Sequence, residues 1–115
     1  MAGINLREQS MDLTVKVLKL CEGITSHRSL VIRLEQAVTD IGVNIHEASY
    51  AYGGAEQVKQ WKEAVACCYE TEYWLELLFE TGCIEQISYK EIQNDCGAIR
   101  RMLIASLNTI KAKQE

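Results

Sequence analysis

Apolar residues recur along this chain at steps of three and four, the spacing that aligns side chains on one face of an α-helix. Four segments carry the pattern. The first predicts a helix from about Asn5 to Cys21, with Met11, Val15, Leu18 and Cys21 as its inward stripe. Gly23 and the Thr25–Ser26 pair end it. A second helix is predicted from about Ser29 to Ala51, striped by Leu34, Ala37, Ile41, Asn44/Ile45 and Ala48. The adjacent Gly53 and Gly54 interrupt it, because glycine loses more backbone freedom in a helix than any other residue. The third helix, about Ala55 to Thr81, points Val58, Trp61, Ala64/Val65, Cys68, Thr71, Leu75 and Leu78 inward. Gly82 then stands where a left-handed C-terminal cap belongs. Ser88 and Glu91 make a capping-box pair for the fourth helix, which carries Ile92, Cys96, Ile99, Leu103, Ser106 and Ile110. It ends in Lys111 and Lys113, the charge that suits a helix C terminus.

No proline interrupts these segments, and none alternates with the period of a strand. Short connections between long helices force antiparallel neighbours. The expected fold is therefore all-α, an antiparallel up-down-up-down four-helix bundle forming one domain over residues 1–115. The fourth helix adds Met102 and Leu107 beside its stripe and Ile104 further round. That width fits either a thick core or a face that packs against another subunit.

Composition narrows the function classes. With 115 residues the chain can bury roughly 65% of its unfolded surface, enough for a core without disulfide or metal staples. It is 48% hydrophobic and 24% charged, which excludes a disordered chain. The net charge of −4 opposes general attraction to a polyanion. Met1 to Gln9 is polar, unlike a signal peptide, and no apolar run approaches the roughly 20 residues of a membrane span. A cytoplasmic protein with no membrane contact is expected. Cys21, Cys67, Cys68, Cys83 and Cys96 then read as reduced thiols.

The chemistry-bearing residues exclude more than they suggest. His46–Glu47 begins like a zinc-protease motif, but Tyr50 stands where the second histidine is needed. Neither His27 nor His46 follows a glutamate at the di-iron spacing. Cys67 and Cys68 are adjacent, so on a helix they point about 100° apart and cannot jointly grip a metal. No phosphate loop or nucleophile elbow appears. No catalytic residue, metal or cofactor is expected. Glu70, Glu72 and Glu76 read as a largely solvated carboxylate face; Arg100, Arg101, Lys111 and Lys113 give the last helix a basic end that could meet phosphates. Asn44 is unusual. It lies on an apolar stripe, where a buried amide must find partners or cost about 1–3 kcal/mol.

The run Ile41-Gly42-Val43-Asn44-Ile45-His46-Glu47-Ala48, followed by Glu70-Thr71-Glu72-Tyr73-Trp74-Leu75-Glu76-Leu77-Leu78, resembles a bacterial four-helix-bundle family. This is the ribosomal RNA intervening-sequence protein family, related to the accessory variability determinant of diversity-generating retroelements. The similarity extends to Ile99-Arg100-Arg101-Met102-Leu103. It implies a non-enzymatic, ring-like homopentamer, with Asn44, Glu47, Glu70, Thr71, Tyr73 and Trp74 as structural motif residues. On this basis Asn44 is expected to be buried and bonded to Glu70 or Thr71. For the retroelement branch the resemblance also implies binding to a reverse transcriptase and nucleic acid. The chain departs from the family pattern at Gln36, Ala66-Cys67-Cys68 and Glu56-Gln57, and the lost basic residues weigh against nucleic-acid contact.

Three functions compete at this point: an oligomeric scaffold or adaptor for a partner protein, a nucleic-acid binder using a basic surface formed on assembly, and a small-molecule or metal carrier. The wide fourth helix favours the first. Net charge opposes the second, and missing ligand spacings oppose the third.

Overall fold

A computed structural model of the protein describes residues 2–114, with side chains from Leu6 to Lys113. Met1 and Glu115, the ends of the expected 1–115 domain, lie outside the described residues. Four helices follow in order: α1 (Ala2–Glu22), α2 (Arg28–Ala48), α3 (Gly54–Glu80) and α4 (Gln86–Gln114). Each packs on the next and α4 returns to α1, so the four form a closed square bundle of 47 × 21 × 20 Å. Among the described residues there is no strand, and no helix is long and apolar enough to cross a membrane.

One core runs the length of the bundle. Leu34, Val38, Ile41 and Ile45 of α2 meet Ala64, Cys68, Leu75 and Leu78 of α3 and Ile92, Cys96, Ile99 and Leu103 of α4 in a single buried cluster. The stripes expected for α2, α3 and α4 supply it, although Val58, Trp61 and Val65 of α3 are only half-buried. Helix α1 corrects its expectation. Its inward stripe is Leu6, Ser10, Leu13, Val17 and Cys21, while Met11, Val15 and Leu18 face solvent. Two stripes on this helix obey the three-four spacing, and Ser10 interrupts the true one. Burying Ser10 is cheap because its hydroxyl donates to the Arg7 carbonyl at 3.0 Å.

The turns show how local chemistry ends the helices. After α3, Gly82 adopts φ +79°, and the Gly82 and Cys83 amides donate back to Phe79 and Leu78. That is the left-handed cap expected there. Helix α2 stops at Ala48, three residues short of its predicted end, and Gly53 opens α3 in an extended conformation. Helix α4 starts at Gln86, and the Tyr89 amide donates to the Glu85 carbonyl at 2.9 Å. Ser88 is therefore already helical, and the expected capping box is not used. Buried Ile84 and the stacking of Tyr89 on Phe79, with ring centroids 4.4 Å apart, hold the chain against α3 and let the helix begin early.

Candidate interaction surface

The motif residues expected to act together are distributed along the α2–α3 seam. Asn44 is half-buried; its amide donates to the Asp40 carbonyl at 2.9 Å and reaches the Cys67 sulfur at 3.8 Å. Its cross-helix partner is thus Cys67, not Glu70 or Thr71. Thr71 is fully buried but turns its hydroxyl back to the Cys67 carbonyl at 2.7 Å, which satisfies it within its own helix. Glu70 is exposed and accepts from the Trp74 indole at 3.2 Å. The Arg33 guanidinium lies 5.5 Å above the Trp74 ring, and Tyr73 meets Trp74 edge-on at 5.1 Å. Glu47 points outward beside the α1–α2 groove.

Of Glu70, Glu72 and Glu76 on α3, Glu72 is the one drawn inward. It accepts from Arg100 Nε at 2.8 Å and Nη2 at 3.3 Å, while Arg100 also lies 4.9 Å from the Tyr69 ring centre. The bond from Glu72 pushes the Arg100 pKa up. Sequence spacing shows Glu72 beside the α3 stripe, but the α4 partner only becomes visible once the helices pack. Arg100 is thereby committed to the fold. Arg101 lies outside on the next step of α4, its guanidinium folded over Gly97, where a Cβ would come within 3.1 Å of it. Lys111 and Lys113 are exposed at the far end of α4. Eleven residues separate Arg100 from Lys111, about 16 Å along a helix, so the four charges do not form one cluster.

Cys21, Cys68 and Cys96 are buried, and Cys67 and Cys83 are half-buried. Burial pushes Cys21 and Cys67 up to about 11, the latter helped by Asp40 and Glu70. A hydrogen bond with Cys68, together with burial, holds Cys96 far above the usual thiol range. All five cysteines are free, and among the described residues no group of three His, Cys, Asp or Glu side chains could hold a metal.

What remains conspicuous is an exposed apolar face on α1 and α2. Met11 (65% exposed), Val15, Leu18, Ile32 and Val43 (45%) all point outward there. Across the two helices the Thr14 hydroxyl, which donates to the Ser10 carbonyl of its own helix at 2.8 Å, also lies 3.3 Å from the Val38 carbonyl, and Arg7 donates to His46 Nδ1 at 3.2 Å. Small residues let the helices approach: the face of Gly42 opposes Ser10 and Thr14. Beside this seam Met11, Thr39 and Val43 line a groove rimmed by Arg7, Glu8, Asp12, His46 and Glu47. On α4, by contrast, Met102, Ile104 and Leu107 are half-buried. The sequence placed surplus apolar area on α4, whereas all five exposed large aliphatic side chains other than Ile87 lie on α1 and α2 among the described residues. The missed signal was the second apolar stripe of α1.

A second exposed ridge occupies α3, where Tyr69 and Tyr73 follow each other one turn apart. Ala55, Val58, Lys59, Lys62 and Ala66 continue it toward the helix start as a shallow depression.

Comparison with known proteins places this arrangement. A family model described as 23S rRNA-intervening sequence protein matches residues 4–105. A solved structure from Bacteroides thetaiotaomicron, described as a protein with unknown function from the S23 ribosomal protein family, is similar in sequence and shape. The two are 29% identical, the match covers 94% of this chain and 99% of that one, and the TM-score is 0.88. No curated protein matches the chain.

Proposed function

Because the chain belongs to the 23S rRNA-intervening sequence protein family, we propose that it is a non-catalytic scaffold or adaptor that works by assembling with copies of itself. The observation that carries this reading is the outward apolar face of α1 and α2. Monomeric soluble proteins rarely expose so many large apolar side chains on one side, and such patches mark binding surfaces. Covering them removes apolar area from water at about 25 cal/mol per Å². The chemistry of the side chains supports a non-catalytic role. Cys21, Cys67 and Cys96 are held protonated above the usual thiol range, and His46 is engaged as an acceptor from Arg7. Five subunits in a ring, the number implied by the family resemblance, is the assembly we favour. A protein partner, such as the reverse transcriptase implied for the retroelement branch, would then be held by the assembled scaffold.

Sedimentation or light scattering on the purified protein tests this. A multimer is expected at micromolar concentration, reduced to monomer by Met11→Glu combined with Val43→Glu. A wild-type monomer would overturn the proposal.

The second reading, nucleic-acid binding on a basic surface, is favoured by one observation. Lys59 and Lys62 near the start of α3 lie at the same end of the bundle as Lys111 and Lys113 at the end of α4, as the antiparallel α3–α4 packing requires. Glu76, Glu80, Glu85 and Glu91 gather at the other end. With Arg100 engaged by Glu72, this surface is expected to bind weakly.

A further inference from the structure

Helix α3 takes up the arginines beside it through aromatic rings paired with carboxylates. On the α4 side, Tyr69 and Glu72 stand three residues apart and hold Arg100 between them. Glu72 accepts from Arg100 Nε at 2.8 Å and Nη2 at 3.3 Å, and the guanidinium carbon lies 4.9 Å from the Tyr69 ring centre. On the α2 side, Arg33 lies over the Trp74 ring at 5.5 Å, while Glu70 accepts from the Trp74 indole at 3.2 Å. Tyr73 and Glu76 repeat the Tyr69–Glu72 spacing four residues further on. Four residues advance a pair by about one helical turn and rotate it by about 40°, which carries this one off the α4 side and onto the outer surface. Tyr73 is 57% exposed, and Glu76 and Glu80 are exposed beside it. No arginine or lysine interrupts the stretch from Tyr69 to Glu80. The ion pairs among the described residues join Lys16 to Glu91 and Asp95 and Arg100 to Glu72, so Glu76 and Glu80 take part in none.

We infer that Tyr73 and Glu76 receive an arginine side chain of a partner protein, presented on a basic segment. This rests on the adaptor part of the reading above and names the chemistry of what the adaptor holds. Charge and shape together select the occupant. A guanidinium is flat and forked, so it stacks on a ring and donates two N–H bonds to one carboxylate at the same time. Tyr73 supplies the ring and Glu76 the carboxylate, at the spacing that already accepts Arg100 within this chain. A lysine ammonium would use the charge but not the fork or the flat face. Basic residues flanking the arginine would meet Glu80 on one side and Glu70 on the other, both exposed. A nucleic acid is repelled by the same carboxylates. A metal ion is not the occupant either, because among the described residues no three acidic, histidine or cysteine side chains converge to hold one.

Two labelled synthetic peptides test this: one carries several arginines spaced by glycine and serine, and its twin has lysine at every arginine. Fluorescence anisotropy is read as the purified full chain is added to each. The arginine peptide should bind about three- to fivefold tighter than its twin, the worth of an exposed contact between a cation and a ring. Tyr73→Leu should erase that preference and leave the weaker, charge-driven binding of both peptides. Glu76→Gln should weaken the arginine peptide several-fold. Both positions are exposed, and unchanged helical circular dichroism checks that the variants fold. Equal affinity for the two peptides, a preference that survives Tyr73→Leu, or no binding of either peptide overturns the inference and leaves this surface a solvated acidic face. Sedimentation of the same protein separates this from the self-assembly reading. A monomer that still prefers arginine overturns self-assembly alone, and an assembled protein without the preference overturns this inference alone.

Discussion

Asn44 shows how far a single side chain departs from what its position on a stripe suggests. Its amide uses one N–H on the Asp40 carbonyl of its own helix and offers the other to a thiol, a weak acceptor. Asn44→Ala should therefore cost about 0.5–1 kcal/mol in urea unfolding, the ordinary net worth of a hydrogen bond, and not the larger cost of a fully buried orphan. The thiols make a prediction in pH. Cys21 and Cys67 are held near 11 in the folded chain against 9.0 for a free thiol. Below 9 both states carry the proton and stability is unaffected. Above 9 the unfolded chain loses it first, binds fewer protons than the native one, and stability falls as pH rises toward 11. Unfolding free energy should be level from pH 7 to 8.5 and then decline, by at most about 2.7 kcal/mol for each thiol and by less for the half-buried Cys67. Replacing Cys21 and Cys67 with alanine should flatten part of that slope; an unchanged slope would assign the decline to other groups.

The elements are set by caps and by cross-helix pairs, and the two respond differently to substitution. Gly82 holds φ +79°, a conformation that costs an L side chain about 1–2 kcal/mol. Gly82→Ala should lower stability by that amount. Ser88→Ala should change it by less than about 0.5 kcal/mol, because the helix has already started two residues earlier. An effect near 1 kcal/mol would instead mark Ser88 as a working cap. The Glu72–Arg100 pair joins α3 to α4 with both side chains about one-fifth exposed. Arg100→Met should cost about 1–3 kcal/mol, since it leaves a partly buried carboxylate without its donor. The measured loss should exceed that of Arg101→Met, whose exposed guanidinium lies over Gly97 of its own helix.

At the scale of the whole molecule, charge and apolar surface argue for different partners. A net charge of −4, an Arg100 tied to Glu72, and lysines divided between the two ends of the bundle together limit phosphate contact. Labelled RNA or DNA should bind weakly at physiological salt, and what binding exists should fall steeply as salt rises, because it depends on released counterions. Tight binding at physiological salt would show that assembly gathers the lysines into a stronger basic surface than one chain presents.

The sequence by itself determined the architecture. Periodic apolar stripes, glycine breaks and the absence of proline are local properties, and each is written in consecutive residues; they marked four helices, the bundle and the Gly82 cap. The motif pair around Asn44 and Thr71 was also legible, as was its family. What the sequence left open was everything that depends on which residues meet across helices. Helix α1 carries two stripes of equal periodicity, and only packing against α2 and α4 chooses Leu6, Leu13 and Val17 over Met11, Val15 and Leu18. Likewise, the pairing of Asn44 with Cys67 and of Glu72 with Arg100 follows from helix register. Spacing along one helix fixes the direction of a side chain but says nothing of the height at which its neighbour passes.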